Sequence, residues 1–176
     1  MLAAPALDTL ARDYAARGVR SIFFYTREAH PGEHFPAHGS QEQKLVHARA
    51  FVERFGIERP VLVDDLAGTG HRLYGLLPNM TYLIGRGGRV LFRADWTDPP
   101  TIEQAIRYLL DARDRRREGL SLKPFYAEFL GYRWSSQTAF MAGLEVAGPQ
   151  AVSDFRAAME RWAGGTPLKG RIDPPE

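Results

Sequence analysis

The sequence predicts a mixed α/β fold, and two observations lead to this prediction. Segments with apolar residues at helical spacing alternate with short runs that are rich in β-branched and aromatic residues. The chain has 176 residues, of which 44% are hydrophobic, so it is long enough to bury one good core. We therefore expect one α/β domain over residues 1–118, followed by a helical extension over residues 119–176.

The chain begins with a predicted helix and a predicted strand. Leu7, Leu10 and Tyr14 recur at helical spacing, and Gly18 stands where a helix commonly ends. The next segment, "VRSIFFY", is rich in β-branched and aromatic residues, which is typical of a buried strand. The first two elements are therefore a helix and a strand.

A second helix and strand follow after a polar loop. Ser40, with Gln43 three residues later, forms a capping box that starts a helix. The apolar residues expected on the inward face of this helix are Leu45, Ala48, Phe51 and Val52. "PVLVDD" then predicts a second strand, and two strands separated by a helix indicate a parallel βαβ unit.

A hairpin and a helix complete the predicted domain. "MTYLIG" and "RVLFRA" predict two antiparallel strands across the turn "RGG". Residues 102–117 predict a helix whose inward side chains are Ile102, Ala105, Ile106, Leu109 and Leu110. The order helix, strand, helix, strand, hairpin, helix is that of a thioredoxin-like sheet whose first strand is missing.

Composition and charge exclude several classes of function. The formal net charge is +2 and 25% of the residues are charged, so no strongly basic surface for nucleic acid is predicted. No apolar run approaches the roughly 18 residues of a membrane span, and the first residues lack the zones of a signal peptide. We expect a cytoplasmic protein without a membrane partner. The chain has no cysteine, which excludes disulfides and thiol catalysis within it.

The loop "YTREAHPGEHFPAHGS" concentrates ionisable side chains after the carboxyl end of the first predicted strand, where α/β sheets place their sites. A glutamate and a histidine two residues apart in such a loop can relay a proton to a leaving group. The alternative is a polar loop whose side chains only cap backbone groups. Residue types alone favour that alternative, since short motifs often match by chance. The ionisable residues are Tyr25, Glu28, His30, Glu33, His34 and His38.

Two further groups of polar residues invite a metal or phosphate site. His30, His34 and His38 lie four residues apart, but the prolines and the glycine between them forbid a continuous helix. Asp64 and Asp65 lie near glycines but lack the lysine and the spacing of a phosphate-binding loop. We therefore predict no metal site, and we expect the aspartates to cap the next turn.

The spacing of residues in three segments adds information that the residue types alone do not give. Tyr25, Glu28, Ala29 and His30 match a strand that ends in a Tyr-x-x-Glu-Ala-His loop. Downstream, "HGSQEQK" matches a helix start of the form His-x-Ser-x-x-x-Arg, with Lys44 in place of the arginine, and "PVLVDD" and "YG" match a following strand and turn. Over about residues 2–107 the chain resembles the iodothyronine deiodinase family and its bacterial thioredoxin-like relatives.

The resemblance implies a redox function. In that family a selenocysteine or cysteine at the head of the first helix attacks iodine or another electrophile, and a thiol reductant regenerates it. By resemblance, Tyr25, Glu28 and His30 are catalytic residues that relay protons, and His38 contacts substrate. The implied partners are a small-molecule electrophile, either an organohalide or a hydroperoxide, and a thiol reductant, either glutathione or a thioredoxin-type protein. No bound cofactor is implied.

The expected position of the nucleophile is a few residues before Met1. A selenocysteine codon is UGA, which gene prediction takes as a stop, so we expect this chain to be the downstream fragment of a selenoprotein or of a cysteine form. The alternative is a non-catalytic thioredoxin-like binding or scaffold domain that has lost the redox residue.

In the extension, the helix after Pro149 has an apolar stripe that fits a core, a sheet edge or a homodimer interface.

Overall fold

In the computed structural model, which describes residues 3–75, 77, 79–124 and 136–163, helices and short strands alternate along the chain. The prediction of a mixed α/β fold is confirmed. In chain order the elements are α1 (Ala4–Ala15), β1 (Phe23–Tyr25), α2 (Gln41–Phe55), β2 (Val61–Val63), α3 (Thr69–Leu73), β3 (Thr81–Ile84), β4 (Val90–Ala94), α4 (Pro99–Arg117), α5 (Gln137–Ala147) and α6 (Pro149–Ala163). No helix among the described residues has both the length and the apolar character needed to cross a membrane.

The chain divides into two units. Unit 1 consists of Met1–Arg27 and His38–Trp134, and unit 2 consists of Glu28–Ala37 and Ser135–Glu176. Among the described residues, unit 1 therefore contains α1 to α4 and β1 to β4, whereas unit 2 contains a loop segment with α5 and α6. The domain boundary between residues 118 and 119 stays a prediction.

The four strands of unit 1 form two pairs. β1 and β2 are parallel, with Tyr25 opposite Val63, and β3 and β4 are antiparallel, with Leu83 opposite Phe92. The predicted parallel unit and the predicted hairpin are both confirmed. Among the described residues the two pairs are separate two-stranded sheets, so the thioredoxin-like arrangement stays a prediction.

Helix α2 begins where the sequence predicts, and both of its ends are capped. The Oγ atom of Ser40 accepts a hydrogen bond from the backbone N–H of Gln43 at 3.1 Å, which satisfies one of the free donors of the first turn. Gly56 ends the helix with a φ of 58°, in the left-handed region that glycine tolerates. The two caps hold α2 between the carboxyl end of β1 and the start of β2.

The inward face of α2 differs from the prediction. Ala48 and Phe51 are buried as expected, but Leu45 is 36% exposed. The buried stripe also contains Lys44 and His47, so residues 44, 47, 48 and 51 form the face of α2 that packs on the rest of unit 1. The prediction missed this orientation because it was made from the apolar residues alone, whereas a lysine and a histidine also lie on the buried face.

Within the described part of unit 1, two clusters of apolar side chains form the core. In the first cluster α2 packs on β1 and β2, and the rings of Phe23 and Phe51 lie 4.8 Å apart. In the second cluster α4 packs against residues of α1 and β3, through Ile102, Ile106 and Leu110. These three residues were predicted to face inward, and the prediction is confirmed.

Unit 2 contains a helical hairpin in which α5 and α6 meet at Gly148. The sequence predicted α6, whereas α5 was not predicted as a separate helix. The apolar stripe expected on α6 is only partly covered, because Trp162 is 82% exposed. Residues 125–135 and 164–176 of the predicted extension lie outside the described residues.

Candidate functional site

A group of titratable side chains lies in unit 1 between the carboxyl end of β1 and the start of α2. Tyr25 is the last residue of β1 and is buried in the first core cluster. His38 lies two residues before Ser40, the cap of α2. The centroids of the Tyr25 and His38 rings are 5.8 Å apart, with the ring planes inclined at 56°. Two of the four predicted site residues are therefore in contact.

His47 extends this group into the helix. Its ring centroid lies 5.0 Å from that of His38, at an angle of 55°, and its side chain is buried on the inward face of α2. Sequence reasoning did not predict His47 as a site residue. The available signal was its spacing, because position 47 falls on the stripe that also contains Ala48 and Phe51. We refer to Tyr25, His38 and His47 as the ring cluster.

Lys44 lies one helical turn before His47 and is only 2% exposed. Its Nζ atom donates a hydrogen bond to the backbone oxygen of Asp65 at 2.8 Å. Burial lowers the pKa of Lys44, because the charged ammonium loses its hydration, while the nearby carboxylates of Asp64 and Asp65 act in the opposite direction. A buried cation therefore ties α2 to the turn that follows β2.

The aspartate pair caps the turn after β2, as predicted. Asp64 Oδ1 accepts hydrogen bonds from the backbone N–H groups of Asp65 and Gly70, and its Oδ2 accepts from that of His71. These acceptors satisfy backbone donors of the short helix α3. At Gly70 a Cβ atom would clash with the ring of Phe24, so glycine is needed for this close approach. The buried Asp64 therefore fixes the turn opposite Lys44.

The surroundings of His38 favour its neutral form. Burial lowers the pKa of His38 below its ordinary value of 6.5, and the nearby His47 and Lys44 lower the pKa further. A neutral imidazole has one nitrogen that donates and one that accepts a hydrogen bond. At neutral pH His38 is therefore able to take up a proton and release it again.

The other two predicted site residues, Glu28 and His30, belong to unit 2. His30 is exposed, and its ring edge contacts Phe140 and Phe155 at centroid distances of 5.8 and 6.0 Å. Partial burial against these rings lowers the pKa of His30 from 6.5. The structure therefore divides the predicted residues, with Tyr25 and His38 in unit 1, and the proposed roles of all four stay predictions.

Comparison with protein-family models, with curated proteins and with solved structures gave no match to this chain. The assignment to the deiodinase family therefore stays a prediction, which rests on the loop after β1, the start of α2 and the strand β2.

Proposed function

We propose that this chain is the proton-transfer part of a thioredoxin-like oxidoreductase that reduces a small electrophile, either an organohalide or a hydroperoxide. The observation that supports the proposal most directly is the ring cluster of Tyr25, His38 and His47. It lies where parallel strand β1 ends, which is where sites of α/β proteins are commonly found. The resemblance to the deiodinase family implies a proton relay for Tyr25 and a substrate contact for His38, and the proton-transfer role of His38 is our own proposal from its contact with Tyr25.

The proposed chemistry uses His38 first as a base and then as an acid. Neutral His38 takes the proton of a thiol or selenol, and the anion attacks the electrophile. With an organohalide, the anion attacks the halogen, the carbon–halogen bond breaks, a sulfenyl or selenenyl halide forms, and the imidazolium gives its proton to the carbon. With a hydroperoxide, the O–O bond breaks, a sulfenic or selenenic acid forms, and the imidazolium gives its proton to the departing alkoxide. Two thiol groups, from two molecules of glutathione or from one thioredoxin-type dithiol, then restore the nucleophile; they are oxidised to a disulfide, and water (or hydrogen halide) is released. Glu28 and His30 are proposed to relay protons in the same reaction.

The nucleophile in this scheme is not a cysteine of this chain, because the chain contains none. The structure offers a position at which one can be installed. α1 begins at Ala4, which is buried in the same core cluster as Tyr25. A thiol at the start of a helix is stabilised as the thiolate by the helix dipole. Ala3, the N-terminal cap residue of α1, is therefore the position at which we would introduce a cysteine.

The test compares Ala3→Cys with Ala16→Cys, which places the same thiol at the opposite end of α1. We would measure consumption of hydrogen peroxide and deiodination of an iodophenol with dithiothreitol as reductant, together with the thiol pKa from alkylation rates. We expect Ala3→Cys to react about tenfold faster or more, with a thiol pKa below about 8.5. Equal rates and equal pKa values in the two variants would contradict the proposal.

A second candidate is a non-catalytic binding domain. The observation that favours it is a set of exposed apolar side chains at the β1–β2 pair, where Phe24 lies opposite Leu62, and Ile22, the residue before β1, is more than half exposed. Exposed apolar groups of this kind mark interaction surfaces in soluble domains. If both cysteine variants react at the rate of a free thiol, and the chain sediments as a homodimer, this candidate replaces the redox proposal.

A further inference from the structure

Glu33 caps a helix that is distant from it in sequence. Both of its carboxylate oxygens lie 2.9 Å from the backbone N–H of Gln150, in the first turn of α6. The first turn of α6 contains no acidic residue, and the preceding Gly148 has no side chain to accept a hydrogen bond. A carboxylate at a helix N-terminus is favoured by the free N–H groups and by the dipole. Glu33 therefore supplies a cap that the sequence of α6 lacks.

His34 completes the adjacent end of α5. Its backbone N–H donates a hydrogen bond to the oxygen of Ala147 at 3.0 Å, and its Nδ1 atom lies 3.2 Å from the oxygen of Val146. Both oxygens belong to the last turn of α5, where the helix itself supplies them with no N–H donor. Two consecutive residues, Glu33 and His34, therefore cap the end of α5 and the start of α6 together.

Glycines allow this close approach on both sides. A Cβ atom at Gly32 would clash with the backbone oxygen of Ala147, and one at Gly148 would clash with the carboxylate of Glu33. Gly148 also has a φ of 120°, which residues with a side chain rarely adopt. Gly32 is itself buried. The contact between the segment and the helical hairpin is therefore closely packed at its centre.

The same segment makes an aromatic contact with both helices. The His30 ring meets Phe140 of α5 and Phe155 of α6 edge-on, and these two phenylalanine rings lie 4.9 Å apart. Such edge-to-face pairs are favourable beyond the area that they bury. The conformation of His30 is thus coupled to the hairpin, which both Glu33 and His34 cap.

We propose that the α5–α6 hairpin is a docking surface for the segment Glu28–Ala37, and that Glu33 is the positioning residue that holds this segment and the His30 ring in place. This assigns a role to the C-terminal extension. The consequence for catalysis rests on the proposed function, because His30 is a proposed proton relay. The docking itself does not depend on that function and is tested without an activity assay.

The first test compares wild type with Glu33→Ala, Glu33→Gln and the control Glu160→Ala, which changes an exposed glutamate of α6. Amide hydrogen exchange of His34 and the NMR titration of the His30 ring are the readouts. In Glu33→Ala we expect the His34 amide to exchange about tenfold faster or more, and the His30 pKa to rise towards 6.5 as its ring leaves the two phenylalanines. In Glu33→Gln the His34 exchange rate and the His30 pKa should lie between those of wild type and Glu33→Ala, and in Glu160→Ala both should match wild type.

A second pair of variants perturbs the contact by steric means alone. Gly32→Ala places a Cβ atom against the Ala147 oxygen, whereas Gly87→Ala adds the same atom in open space at the β3–β4 turn. We expect faster His34 exchange only in Gly32→Ala. Loss of α6 helicity in Glu33→Ala would also support the proposal, since the segment then supplies the cap. Unchanged His34 exchange in both Glu33→Ala and Gly32→Ala, with helicity retained, would overturn it.

Discussion

The imidazole ring of His38 lies 5.0 Å from that of His47, centroid to centroid, with the ring planes inclined at 55°. The two histidines come from different parts of unit 1, because His38 precedes α2 and His47 lies on its buried face. Tyr25, at the end of β1, contacts the same His38 ring. The carboxyl end of β1 and the buried face of α2 are therefore connected through the rings of Tyr25, His38 and His47.

Acidification should destabilise the folded chain as the pH falls below about 6.5. Because folding lowers the pKa of His38, the unfolded chain binds more protons than the folded chain in this range, so stability rises with pH until the unfolded value is passed. Melting temperatures from about pH 5 to about pH 8 should show the decrease on the acid side, and His38→Asn should reduce it. The pKa of His30 is also lowered in the folded chain, so part of the dependence of stability on pH should remain in His38→Asn. An unchanged slope in His38→Asn would refute the assignment.

Removal of the Lys44 charge should raise the pKa of His38. The ammonium of Lys44 is one of the groups that disfavour protonation of this imidazole. In Lys44→Met the repulsion is absent, so the NMR titration of His38 should shift towards 6.5. Lys123→Met, which changes an exposed lysine, is the matched control and should leave the titration where it is. A downward shift in Lys44→Met would show that the sign is wrong.

Removal of one partner of the buried ion pair between Asp8 and Arg59 should strongly destabilise the folded chain. The Nε atom of Arg59 lies 3.1 Å from Oδ1 of Asp8, and the two side chains are 6% and 5% exposed. Loss of one partner leaves a buried charge without compensation, so Asp8→Ala should cost about 3–5 kcal/mol in urea unfolding. The exposed pair Arg12–Glu58 is the control, and Arg12→Ala should cost about 0–1 kcal/mol. Similar costs at the two sites would contradict the account.

Asp64→Asn should loosen the turn after β2. The carboxylate accepts three backbone hydrogen bonds, and an amide retains only one acceptor oxygen. We expect a loss of about 1–3 kcal/mol in the free energy of unfolding and faster exchange of the Gly70 and His71 amides. Asp95→Asn, in an exposed pair with Arg93, should change neither quantity appreciably. Exchange at these two amides that matches wild type would argue against the capping role.

Local signals in the sequence predicted most of unit 1. The capping box at Ser40 predicted the start of α2, and the turn glycines predicted the β3–β4 hairpin. The loop after β1 was predicted to hold a site, which stays a prediction, and two of its predicted residues, Tyr25 and His38, are in contact. These features depend on a few neighbouring residues, which is why the sequence alone was sufficient.

The features that the sequence did not predict depend on long-range packing. Whether His47 faces inward is decided by the rotation of α2 against β1 and β2, and Leu45 was misplaced for the same reason. The docking of Glu33 on Gln150 joins residues 117 positions apart, and no local pattern signals it. Strand pairing has the same character, since the order of elements did not show that the described strands form two separate pairs.

The central claim is that His38 transfers the proton when a chalcogen at the start of α1 attacks an electrophile. The most direct measurement compares the rate of hydrogen peroxide consumption by Ala3→Cys with that of the double variant Ala3→Cys/His38→Asn, at equal amounts of folded protein. We predict a rate about a hundredfold lower in the double variant, and an acid limb below about pH 6.5 that is present only when His38 is retained. Equal rates with the same pH profile would contradict the claim.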